Sequence, residues 1–278
     1  MNVRDYYANR VAVITGAGSG IGRELAVALS ACGAQLALWD IDSDALAATA
    51  DRCPQLSTAV RTSTVDVTDR PSVLAQADAV HSDFGRVDFV FCAAGVIHTG
   101  SLLASEFDDI EHVIRVNLWG VINTAKAFLP FMAAAGAGHI VTFSSAFGLV
   151  AAPHYSAYNS SKFAVRGFSE SLRQELELDG HHVSVTCVYP GGVRTPIVRS
   201  GRFAAGEDPE AVIRMFDTKV ARMDADKAAA IILRGVAQRR AQVLVGADAH
   251  VASWIVRGAG ARYQSVLPWV VRQVRRTR

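Results

Sequence analysis

The feature that most constrains the fold of this chain is a regular alternation of short apolar segments with helical segments. Seven apolar segments recur, at residues 10–15, 35–40, 59–65, 87–92, 139–144, 183–189 and 242–246. Amphipathic stretches typical of helices separate them, the longest at residues 106–135. Apolar strands that alternate with helices form parallel sheets covered by helices on both faces. The sequence therefore predicts a doubly wound α/β fold, with a parallel sheet of about seven strands in three α/β/α layers.

The composition favours one globular domain spanning residues 1–278. Half of the 278 residues are hydrophobic and 19% are charged, which suits a large core and excludes a disordered chain. No linker, repeat or low-complexity segment interrupts the alternation. One long connection, residues 196–222, mixes apolar side chains with arginines just beyond a strand end, so we expect it to be a substrate lid.

The lack of a recognisable targeting signal and the near-neutral charge favour a cytoplasmic protein without a nucleic-acid partner. The chain has no uncharged apolar run of the ~18 residues that a membrane span needs, and no signal-peptide core near its first residues. Its net charge is +2, but four arginines lie within the last seven residues, and without them the chain has 24 basic and 26 acidic residues. A near-neutral body does not present the basic surface that nucleic acid requires.

The four cysteines are scattered and show neither paired nor metal-ligand spacing. Cys92 and Cys187 fall in apolar segments, where a free thiol behaves as a small hydrophobe. We therefore expect neither a disulfide nor a metal site.

The first apolar segment leads into a glycine-rich loop that suits a phosphate group. Gly16, Gly20 and Gly22 lie between a strand and a helix, where the chain must turn tightly. A pyrophosphate could approach the backbone N–H groups of such a loop at the helix N-terminus. The spacing is not the strict GxGxxG pattern, so the loop fits either a dinucleotide site or an ordinary turn between strand and helix.

Asp40 bears on the choice of dinucleotide. It ends the second apolar segment about 20 residues after the loop, where a carboxylate accepts hydrogen bonds from the hydroxyls of an adenosine ribose. A carboxylate there repels a 2′-phosphate, and residues 41–43 contain no lysine or arginine. NAD is therefore favoured over NADP. Asp40 could instead only begin a turn or cap a helix, which leaves the cofactor open.

Tyr158 and Lys162 are candidates for proton transfer. They are four residues apart, which places them on one face of a helix. The usual pKa of tyrosine is about 10, and a neighbouring ammonium stabilises the phenolate, so we expect a lowered pKa for Tyr158. Ser145, which follows the fifth apolar segment, can hold an alcohol or carbonyl oxygen beside them. The alternative is a surface tyrosine and a solvated lysine.

Taken together and in order, these motifs resemble those of the short-chain dehydrogenase/reductase family over residues 10–196. The matching motifs are Thr15-Gly16-x-x-x-Gly20-Ile21-Gly22, Asp66-Val67, Asn117-x-x-Gly120, Ser145 with Tyr158-x-x-x-Lys162, and Pro190-Gly191-x-Val193-x-Thr195. The resemblance implies a Rossmann-type fold that binds NAD in the crevice at the carboxyl ends of its strands. It also implies a homotetramer or homodimer that assembles through the helices containing Asn117 and Tyr158.

The resemblance further implies a role for each matching residue. Tyr158 would be the general acid/base, and Lys162 would bind the nicotinamide ribose and lower the pKa of Tyr158. Ser145 would hold the substrate oxygen, and Asn117 would anchor a water that links Lys162 to solvent. Cofactor contacts are expected at Gly16, Ser19, Gly20, Ile21, Gly22, Asp40, Ile41, Asp66, Val67, Ala94, Gly95, Tyr158, Lys162, Val193 and Thr195. Of these, Asp66 and Val67 would contact adenine, and Val193 and Thr195 the nicotinamide amide.

The chain departs from the family pattern after the fourth apolar segment. The family usually has Asn-Asn-Ala-Gly there, whereas this chain has Cys92-Ala93-Ala94-Gly95. The asparagines brace the central sheet by side-chain hydrogen bonds. Their replacement therefore affects the stability of the sheet and the position of the bound adenosine, but it removes no proposed catalytic group.

The residues expected around the substrate are mostly apolar. They are Ala146, Phe147, Val150, Ala151, His154 and Tyr155, with Val96, Ile97 and His98 opposite. Tyr155 is an alternative base, but Asn159 rather than a lysine lies four residues after it, so we expect Tyr155 to contact substrate. His98 and His154 are interpreted as pocket lining or surface. These residues and the lid favour a lipophilic secondary alcohol or ketone as substrate.

Residues 248–278 form a basic C-terminal segment with apolar residues at helical spacing, interrupted at Pro268. We favour a helix packed on the core or across a subunit interface, with a solvated basic end. The alternative is contact with a membrane surface through aromatic side chains and arginines, which one short arginine cluster supports.

The sequence thus predicts an NAD(H)-dependent oxidoreductase that interconverts a secondary alcohol and a ketone. Two alternatives remain: an NADP-dependent carbonyl reductase, and a non-catalytic nucleotide-binding sensor or scaffold with the same fold. The set of Asn117, Ser145, Tyr158 and Lys162 favours an enzyme, because a pure binder needs no groups for proton transfer.

Overall fold

The computed structural model describes residues 2–54 and 59–268, and its elements follow the alternation in the sequence. The strands, in chain order, are β1 (Val11–Thr15), β2 (Gln35–Asp40), β3 (Val60–Thr64), β4 (Phe89–Cys92), β5 (His98–Thr99), β6 (Gly138–Phe143), β7 (Val183–Pro190), β8 (Val193–Arg194), β9 (Arg202–Phe203), β10 (Met223–Asp224) and β11 (Gln242–Val245). The α-helices are α1 (Val3–Tyr7), α2 (Gly20–Ala31), α3 (Ser43–Arg52), α4 (Arg70–Phe84), α5 (Phe107–Ile114), α6 (Gly120–Ala134), α7 (Ser156–Leu178), α8 (Pro209–Met215), α9 (Ala225–Ala237) and α10 (Ala247–Ala259).

Seven of these strands form one parallel sheet in the order β11-β7-β6-β4-β1-β2-β3, which confirms the predicted fold class. The chain builds outward from β1 to β3, returns to the other side of β1 with β4, and builds outward again to β11. The winding direction reverses between β1 and β4. In α/β proteins, the carboxyl ends of the strands at such a reversal form a crevice that binds ligands.

Helices pack on both faces of the sheet, so alternate residues of one strand enter different cores. In β1, Ile14 packs with Leu25 of α2 and Ile232 of α9. The preceding residue, Val13, belongs to the core on the opposite face, which includes Phe128 of α6. This alternation is the period of two that a strand shows, and both of its faces are apolar because both are covered.

The helical stretch predicted at residues 106–135 contains a feature that its periodicity did not indicate. Helix α5 passes into a π-helical turn at Arg115–Trp119 before α6 begins. A π turn adds one residue to a helical turn, and such turns occur often at functional sites. This one contains Asn117, whose side chain is fully buried.

Residues 196–222 are attached to the rest of the fold by two short strand pairings. Strand β9, within the segment, pairs with β5, and β10, just after it, pairs with β8, just before it. The segment also contains α8 and a π-helical turn at Phe216–Val220.

The C-terminal helical region is interrupted earlier than the sequence indicated. Helix α10 ends at Ala259, where Gly260 adopts a φ of 52°, and residues 263–268 are helical again. The expected interruption at Pro268 falls at the edge of the described residues, and residues 269–278 lie outside them. Within the described part of the chain, no helix is long and apolar enough to cross a bilayer.

A hydrogen bond from β1 supports the end of β4, where the family's asparagines are replaced. Cys92 and Ala93 carry no side-chain amide, but the buried Thr15 Oγ1 accepts a hydrogen bond from the backbone N–H of Ala94 at 3.1 Å. This bond ties the first strand to the loop after the fourth, on the two sides of the crevice. Thr15 therefore braces the end of β4 against β1.

Thr15→Val removes this acceptor while keeping the shape of the side chain. Because the N–H of Ala94 then lacks its partner, the free energy of unfolding should fall by about 1–3 kcal/mol. Urea denaturation measures the change. Thr62→Val, at an exposed position of β3, is the control and should change stability by less than about 0.5 kcal/mol. Equal effects of the two substitutions would contradict the proposed brace.

Candidate active site

A cavity of about 610 Å³ opens at the carboxyl ends of β1, β4, β6 and β7, where the winding of the sheet reverses. It contains all the residues predicted to bind cofactor, and Ser145 in addition. These are Gly16, Ser19, Gly20, Ile21, Gly22, Asp40, Ile41, Asp66, Val67, Ala94, Gly95, Ser145, Tyr158, Lys162, Val193 and Thr195. Residues far apart in the sequence are thus gathered around one space because each follows the end of a strand or faces it.

The glycine loop after β1 has the close backbone packing that a dinucleotide cradle requires. Gly16 has a φ of 67°, and a Cβ placed on it would lie 2.7 Å from the backbone of Ala94. A Cβ on Gly22 would lie 2.1 Å from the carbonyl oxygen of Gly16. Larger residues at these positions would push the loop into the crevice or away from β4. The loop therefore lies flat at the end of the sheet and leaves space above it for a ligand.

The N-terminus of α2 faces this space. Ser19 is the N-cap residue, and its side chain makes no capping hydrogen bond with the helix. No acidic side chain occupies the first turn of the helix. The unpaired N–H groups and the positive end of the helix dipole therefore suit the phosphates of a dinucleotide. Behind the loop, the Arg23 guanidinium donates hydrogen bonds to the Gly18 carbonyl and to Thr49 Oγ1.

Asp40 lies at the other side of the loop and is held firmly. Its Oδ2 accepts a hydrogen bond from the N–H of Gly18 at 2.8 Å, and its Oδ1 accepts one from the N–H of Asp42 at 3.1 Å. The cap of α3 is Asp42, which accepts from Ala45, so Asp40 does not cap that helix. Its hydrogen bond with Asp42 does form the turn that the alternative interpretation allowed. The carboxylate of Asp40 borders the cavity beside the exposed Ile41.

The region beyond Asp40 contains the Asp66-Val67 pair and two residues that the sequence did not single out. Asp66 Oδ1 accepts a hydrogen bond from the N–H of Thr68, and the Val67 carbonyl accepts one from the Asn123 amide. His112 and Arg115 of the α5 and π-turn region also border this end of the cavity. Arg115 lies in the π turn and His112 just before it, and the sequence pattern gives no signal for this turn.

Tyr158 is buried on α7, and its pKa shifts opposite to the expectation. Burial raises the pKa of Tyr158 to about 12, because a phenolate loses its hydration there, and a hydrogen bond with Ser145 lowers it only in part. The Phe147 ring lies edge-on at 6.2 Å and adds to the apolar surroundings. The prediction of a lowered pKa is therefore wrong for this structure, since desolvation outweighs the contacts that stabilise the phenolate.

Lys162 lies one turn further along α7, as predicted. Its Nζ is 5.5 Å from the centre of the Tyr158 ring and donates a hydrogen bond to the Phe143 carbonyl at 3.0 Å. Burial lowers the pKa of Lys162 to about 8, because the ammonium is removed from water. Ser144 Oγ donates to the Lys162 backbone carbonyl at 2.8 Å, which fixes α7 against the end of β6.

Ser145 lies directly after β6 and borders the same part of the cavity. Its Oγ accepts a hydrogen bond from the N–H of Phe147 at 3.1 Å and is 3.5 Å from the Pro190 carbonyl. The first contact holds the side chain at the start of the short helical turn Ala146–Gly148. The hydroxyl therefore stays next to Tyr158, where one ligand oxygen could contact both groups.

Asn117 lies behind the cavity rather than in its lining. Its Oδ1 accepts from the N–H of Val96 at 2.8 Å, and its Nδ2 donates to the Val96 carbonyl at 2.9 Å and to Ser161 Oγ at 3.0 Å. Both polar atoms of its amide thus have protein partners, and the expected role of Asn117 in anchoring a water stays a prediction. The contacts hold the loop after β4 against α7 beside Lys162.

Several residues expected around the substrate lie outside the cavity. Ala146, Phe147, Val96 and Ile97 line it, whereas His98, Val150, Ala151, His154 and Tyr155 do not. The ring of Tyr155 packs on Phe147 at 5.2 Å between centroids, so it supports the lining from behind. These five residues thus lie outside the lining of this cavity, and their contact with a substrate stays a prediction.

The two histidines instead contact the elements that hold residues 196–222. His154 Nδ1 lies 3.1 Å from Glu207 Oε1, within that segment. The buried His98 Nε2 lies 3.7 Å from Asp109, which also pairs with Arg202 of the segment at 2.9 Å. Burial lowers the pKa of His98. His154 thus contacts residues 196–222 directly, and His98 contacts them through Asp109.

Residues 196–222 cover one side of the cavity, and the C-terminal region reaches another. Pro196, Ile197, Val198, Ser200, Phe216 and Val220 are in the lining. Asp248, at the start of α10, also borders the cavity, and its carboxylate accepts a hydrogen bond from the N–H of Gly192. Sequence reasoning missed Asp248, because nothing in its local pattern connects it to the turn after β7.

Comparisons with known proteins agree with this geometry. A family model for the short chain dehydrogenases matches residues 10–204. The SadH protein of Mycobacterium tuberculosis is 48% identical over 261 residues, which cover 94% of this chain and 95% of SadH. Human estradiol 17-beta-dehydrogenase 11 is 38% identical over 213 residues, which cover 76% of this chain and 71% of that protein.

Among solved structures, a short-chain dehydrogenase/reductase of Burkholderia phymatum in complex with NAD superposes with a TM-score of 0.84 and 32% identity, over 94% of this chain and 95% of that one. The matched family model covers most of the chain, including the glycine loop and the tyrosine–lysine pair. The chain therefore belongs to the short-chain dehydrogenase/reductase family.

Proposed function

We propose that this protein is an NAD(H)-dependent oxidoreductase that interconverts a lipophilic secondary alcohol and its ketone, with Tyr158 as the general acid/base. The observation that carries the proposal is that Ser145, Tyr158 and Lys162 share one cavity with a glycine cradle suited to a dinucleotide. When bound, the nicotinamide accepts or donates the hydride. The protein then has to hold the substrate oxygen and move one proton.

The proposed proton transfer uses the buried phenol and amine. In the oxidation direction, the alcohol proton passes to the Tyr158 oxygen; in reduction, the Tyr158 hydroxyl gives its proton to the oxygen that forms the alcohol. Ser145 Oγ holds that oxygen by a hydrogen bond. Because burial raises the pKa of Tyr158 to about 12, the phenolate needs a nearby positive charge to form near neutral pH. The Lys162 ammonium, 5.5 Å from the ring, is positioned to supply it.

Asn117 is proposed as a positioning residue. Its amide bonds to Val96 and Ser161 fix the loop after β4 and the start of α7 on two sides of Lys162. A Cβ on Gly95 would lie 3.3 Å from Asn117 Oδ1 and 3.5 Å from Lys162 Nζ, so the three residues are in close contact. Its effect on the reaction would therefore pass through the position of the lysine.

Tyr158→Phe tests the acid/base assignment. The substitution keeps the ring and its packing but removes the proton carrier, so kcat should fall at least 10³-fold, on the order that general acid–base catalysis contributes. NAD reduction across a panel of secondary alcohols measures the activity, and quenching of protein fluorescence measures cofactor affinity, which should change less than about threefold. Tyr155→Phe, at a residue outside the cavity, is the matched control and should retain most activity. Full activity in Tyr158→Phe would overturn the assignment.

The buried amine has a measurable consequence for stability. Burial lowers the pKa of Lys162 from its usual 10.5 to about 8, so between these values the unfolded chain binds a proton that the folded chain does not. The free energy of unfolding contributed by this group therefore rises with pH across that window and is constant below it. Relative to Lys162→Met, the wild-type chain should gain on the order of 3 kcal/mol between pH 7 and pH 10.5.

Urea unfolding of wild type and Lys162→Met at several pH values measures this difference in stability. The effects of all groups that titrate in both proteins cancel in the comparison. Lys126→Met, at an exposed position of α6, is the control and should show no pH-dependent difference from wild type. Parallel stability curves for wild type and Lys162→Met would contradict a depressed lysine pKa.

Asp40 supports NAD as the cofactor. Its carboxylate borders the cavity beside the glycine loop and is fixed by the N–H groups of Gly18 and Asp42. A negative charge held there would repel the 2′-phosphate of NADP and accept hydrogen bonds from the ribose of NAD. The solved structure of the Burkholderia phymatum relative contains NAD.

Asp40→Asn removes the charge while keeping an oxygen that can accept from Gly18. The ratio of kcat/KM for NAD to that for NADP should fall at least about tenfold, mainly because NADP is no longer repelled. Asp44→Asn, an exposed carboxylate in the first turn of α3, is the control and should leave the ratio unchanged. Wild-type preference for NADP would favour the carbonyl reductase instead, and saturable NAD binding without turnover of any alcohol or ketone would favour a sensor.

The lining of the cavity supports a lipophilic substrate. Val96, Ile97, Phe147 and Ile197 line the cavity and pack in one apolar cluster with Tyr158, and Phe216 also lines the cavity. We propose that residues 196–222 act as the lid over this side, held by their pairings with β5 and β8. Estradiol 17-beta-dehydrogenase 11, one of the relatives, is named for a steroid, a large apolar alcohol. Turnover confined to polar polyols would contradict this part of the proposal.

The proposed assembly is a homodimer or homotetramer through α6 and α7. Trp119, at the end of the π turn, is 45% exposed, and Phe163 on α7 is 38% exposed. Large apolar side chains exposed on the π turn that leads into α6 and on α7 suit burial against a second copy.

A further inference from the structure

The C-terminal segment, residues 249–278, has an unusual charge composition. It contains six arginines and no aspartate or glutamate. Two of the arginines, Arg257 and Arg262, lie in the described part of the segment and are exposed. Asp248, the nearest preceding acid in the chain, is engaged with the N–H of Gly192. The segment therefore presents positive charge without neutralising partners of its own.

Helix α10, most of which lies in this segment, is packed with its small side chains inward. Ala249 is fully buried, and Ala252 packs on the cluster of Leu149 and Tyr189. The large apolar residues face the other way: Trp254 is 77% exposed, Val251 56% and Ile255 42%. Their spacing of three and four residues places them on one face of the helix. This is the reverse of an amphipathic helix that packs on a core.

We propose that the outer face of α10, together with Arg257 and Arg262, binds the surface of an anionic lipid bilayer. A helix that lies in the interface needs apolar side chains that enter the boundary of headgroups and acyl chains, and Trp254, Val251 and Ile255 supply these. It also needs cations near anionic headgroups, and the exposed Arg257 and Arg262 supply them. Insertion of apolar side chains and attraction of the arginines to anionic headgroups are each weak, and together they make binding stable but reversible.

The charge distribution favours a bilayer over a second copy of the chain. In a two-fold dimer through α10, the same surface would face itself, so the exposed Arg257 and Arg262 of each copy would meet the same two arginines of the other. Like charges opposed across an interface are repulsive. The exposed tryptophan and aliphatic side chains also distinguish this face from a nucleic-acid site, where basic residues would not need an apolar centre.

The position of α10 connects this surface to the cavity. The helix packs against the turn Ala146–Gly148, and the hydroxyl of Tyr263 accepts a hydrogen bond from the N–H of Ala151 at 3.1 Å. Phe147, in that turn, lines the cavity. A protein bound through α10 would hold the cavity close to the bilayer, so a lipophilic substrate could enter from the lipid phase. This consequence, unlike the binding itself, rests on the proposed function.

Co-sedimentation of the full chain with phospholipid vesicles tests the proposal. One set contains phosphatidylcholine with about 30% phosphatidylglycerol, and the other phosphatidylcholine alone. The apparent partition coefficient should be at least about tenfold higher for the anionic vesicles at 0.1 M salt, and should fall to the neutral value at 0.5 M salt, because salt screens the arginines.

Two variants separate the two contributions. Trp254→Ser with Ile255→Ser should lower binding to anionic vesicles at least about tenfold through lost apolar insertion, and Arg257→Glu with Arg262→Glu should do so through lost charge. Leu74→Ser, which removes a side chain 46% exposed on α4, is the matched control and should bind as wild type does. Thermal unfolding verifies that all variants are folded.

Equal binding to neutral and anionic vesicles, or binding unchanged in both variant pairs, would overturn the proposal. Sedimentation equilibrium showing an oligomer that dissociates in Trp254→Ser with Ile255→Ser would assign the face to a second copy instead. Vesicle binding is measured without turnover, so an absence of dehydrogenase activity would overturn the proposed function and leave this result standing.

Discussion

The structure depends on how the start of α7 is fixed to the end of β6. Lys162 Nζ donates to the Phe143 carbonyl, and Ser144 Oγ donates to the Lys162 backbone carbonyl, so two hydrogen bonds in opposite directions join the helix to the strand. Both bonds are buried, and a buried polar group without a partner is costly, so the helix has one favourable position. Tyr158, one turn before Lys162, is thereby held over the crevice next to Ser145, which follows the same strand.

Burial gives this arrangement its chemistry as well as its rigidity. It raises the pKa of Tyr158 to about 12 and lowers that of Lys162 to about 8, because each group loses hydration of its charged form. A charged ligand in the cavity would therefore shift the protonation of both groups. The glycine loop packs so closely that a Cβ on Gly16 would lie 2.7 Å from the Ala94 backbone. This close packing brings the N-terminus of α2, which suits phosphates, to the same crevice.

Much of this could be predicted from the sequence, because strand period and strand ends are local patterns. The seven parallel strands and the placement of residues such as Gly16, Asp40 and Tyr158 around one crevice follow from the alternation, since parallel strands share their carboxyl edge. The direction of the Tyr158 pKa could not be predicted, because burial is a property of the whole fold. The π turn that buries Asn117 leaves no mark on helical periodicity.

The C-terminal region shows the same limit. Its apolar spacing indicated an amphipathic helix and favoured one packed on the core, but spacing cannot tell which face turns inward. The fold decides this, because the small side chain of Ala252 packs beside Leu149 and Tyr189. Trp254 is left outside as a result.

The central claim is that Tyr158 exchanges a proton with a substrate oxygen while a nicotinamide ring lies beside it. A crystal structure of the chain with NAD and a ketone inhibitor tests this most directly. The account predicts the inhibitor oxygen within hydrogen-bond distance, about 2.6–3.2 Å, of both Tyr158 Oη and Ser145 Oγ, with the nicotinamide ring packed against the inhibitor carbonyl. A ring bound away from Tyr158, or an oxygen held by other groups, would contradict it.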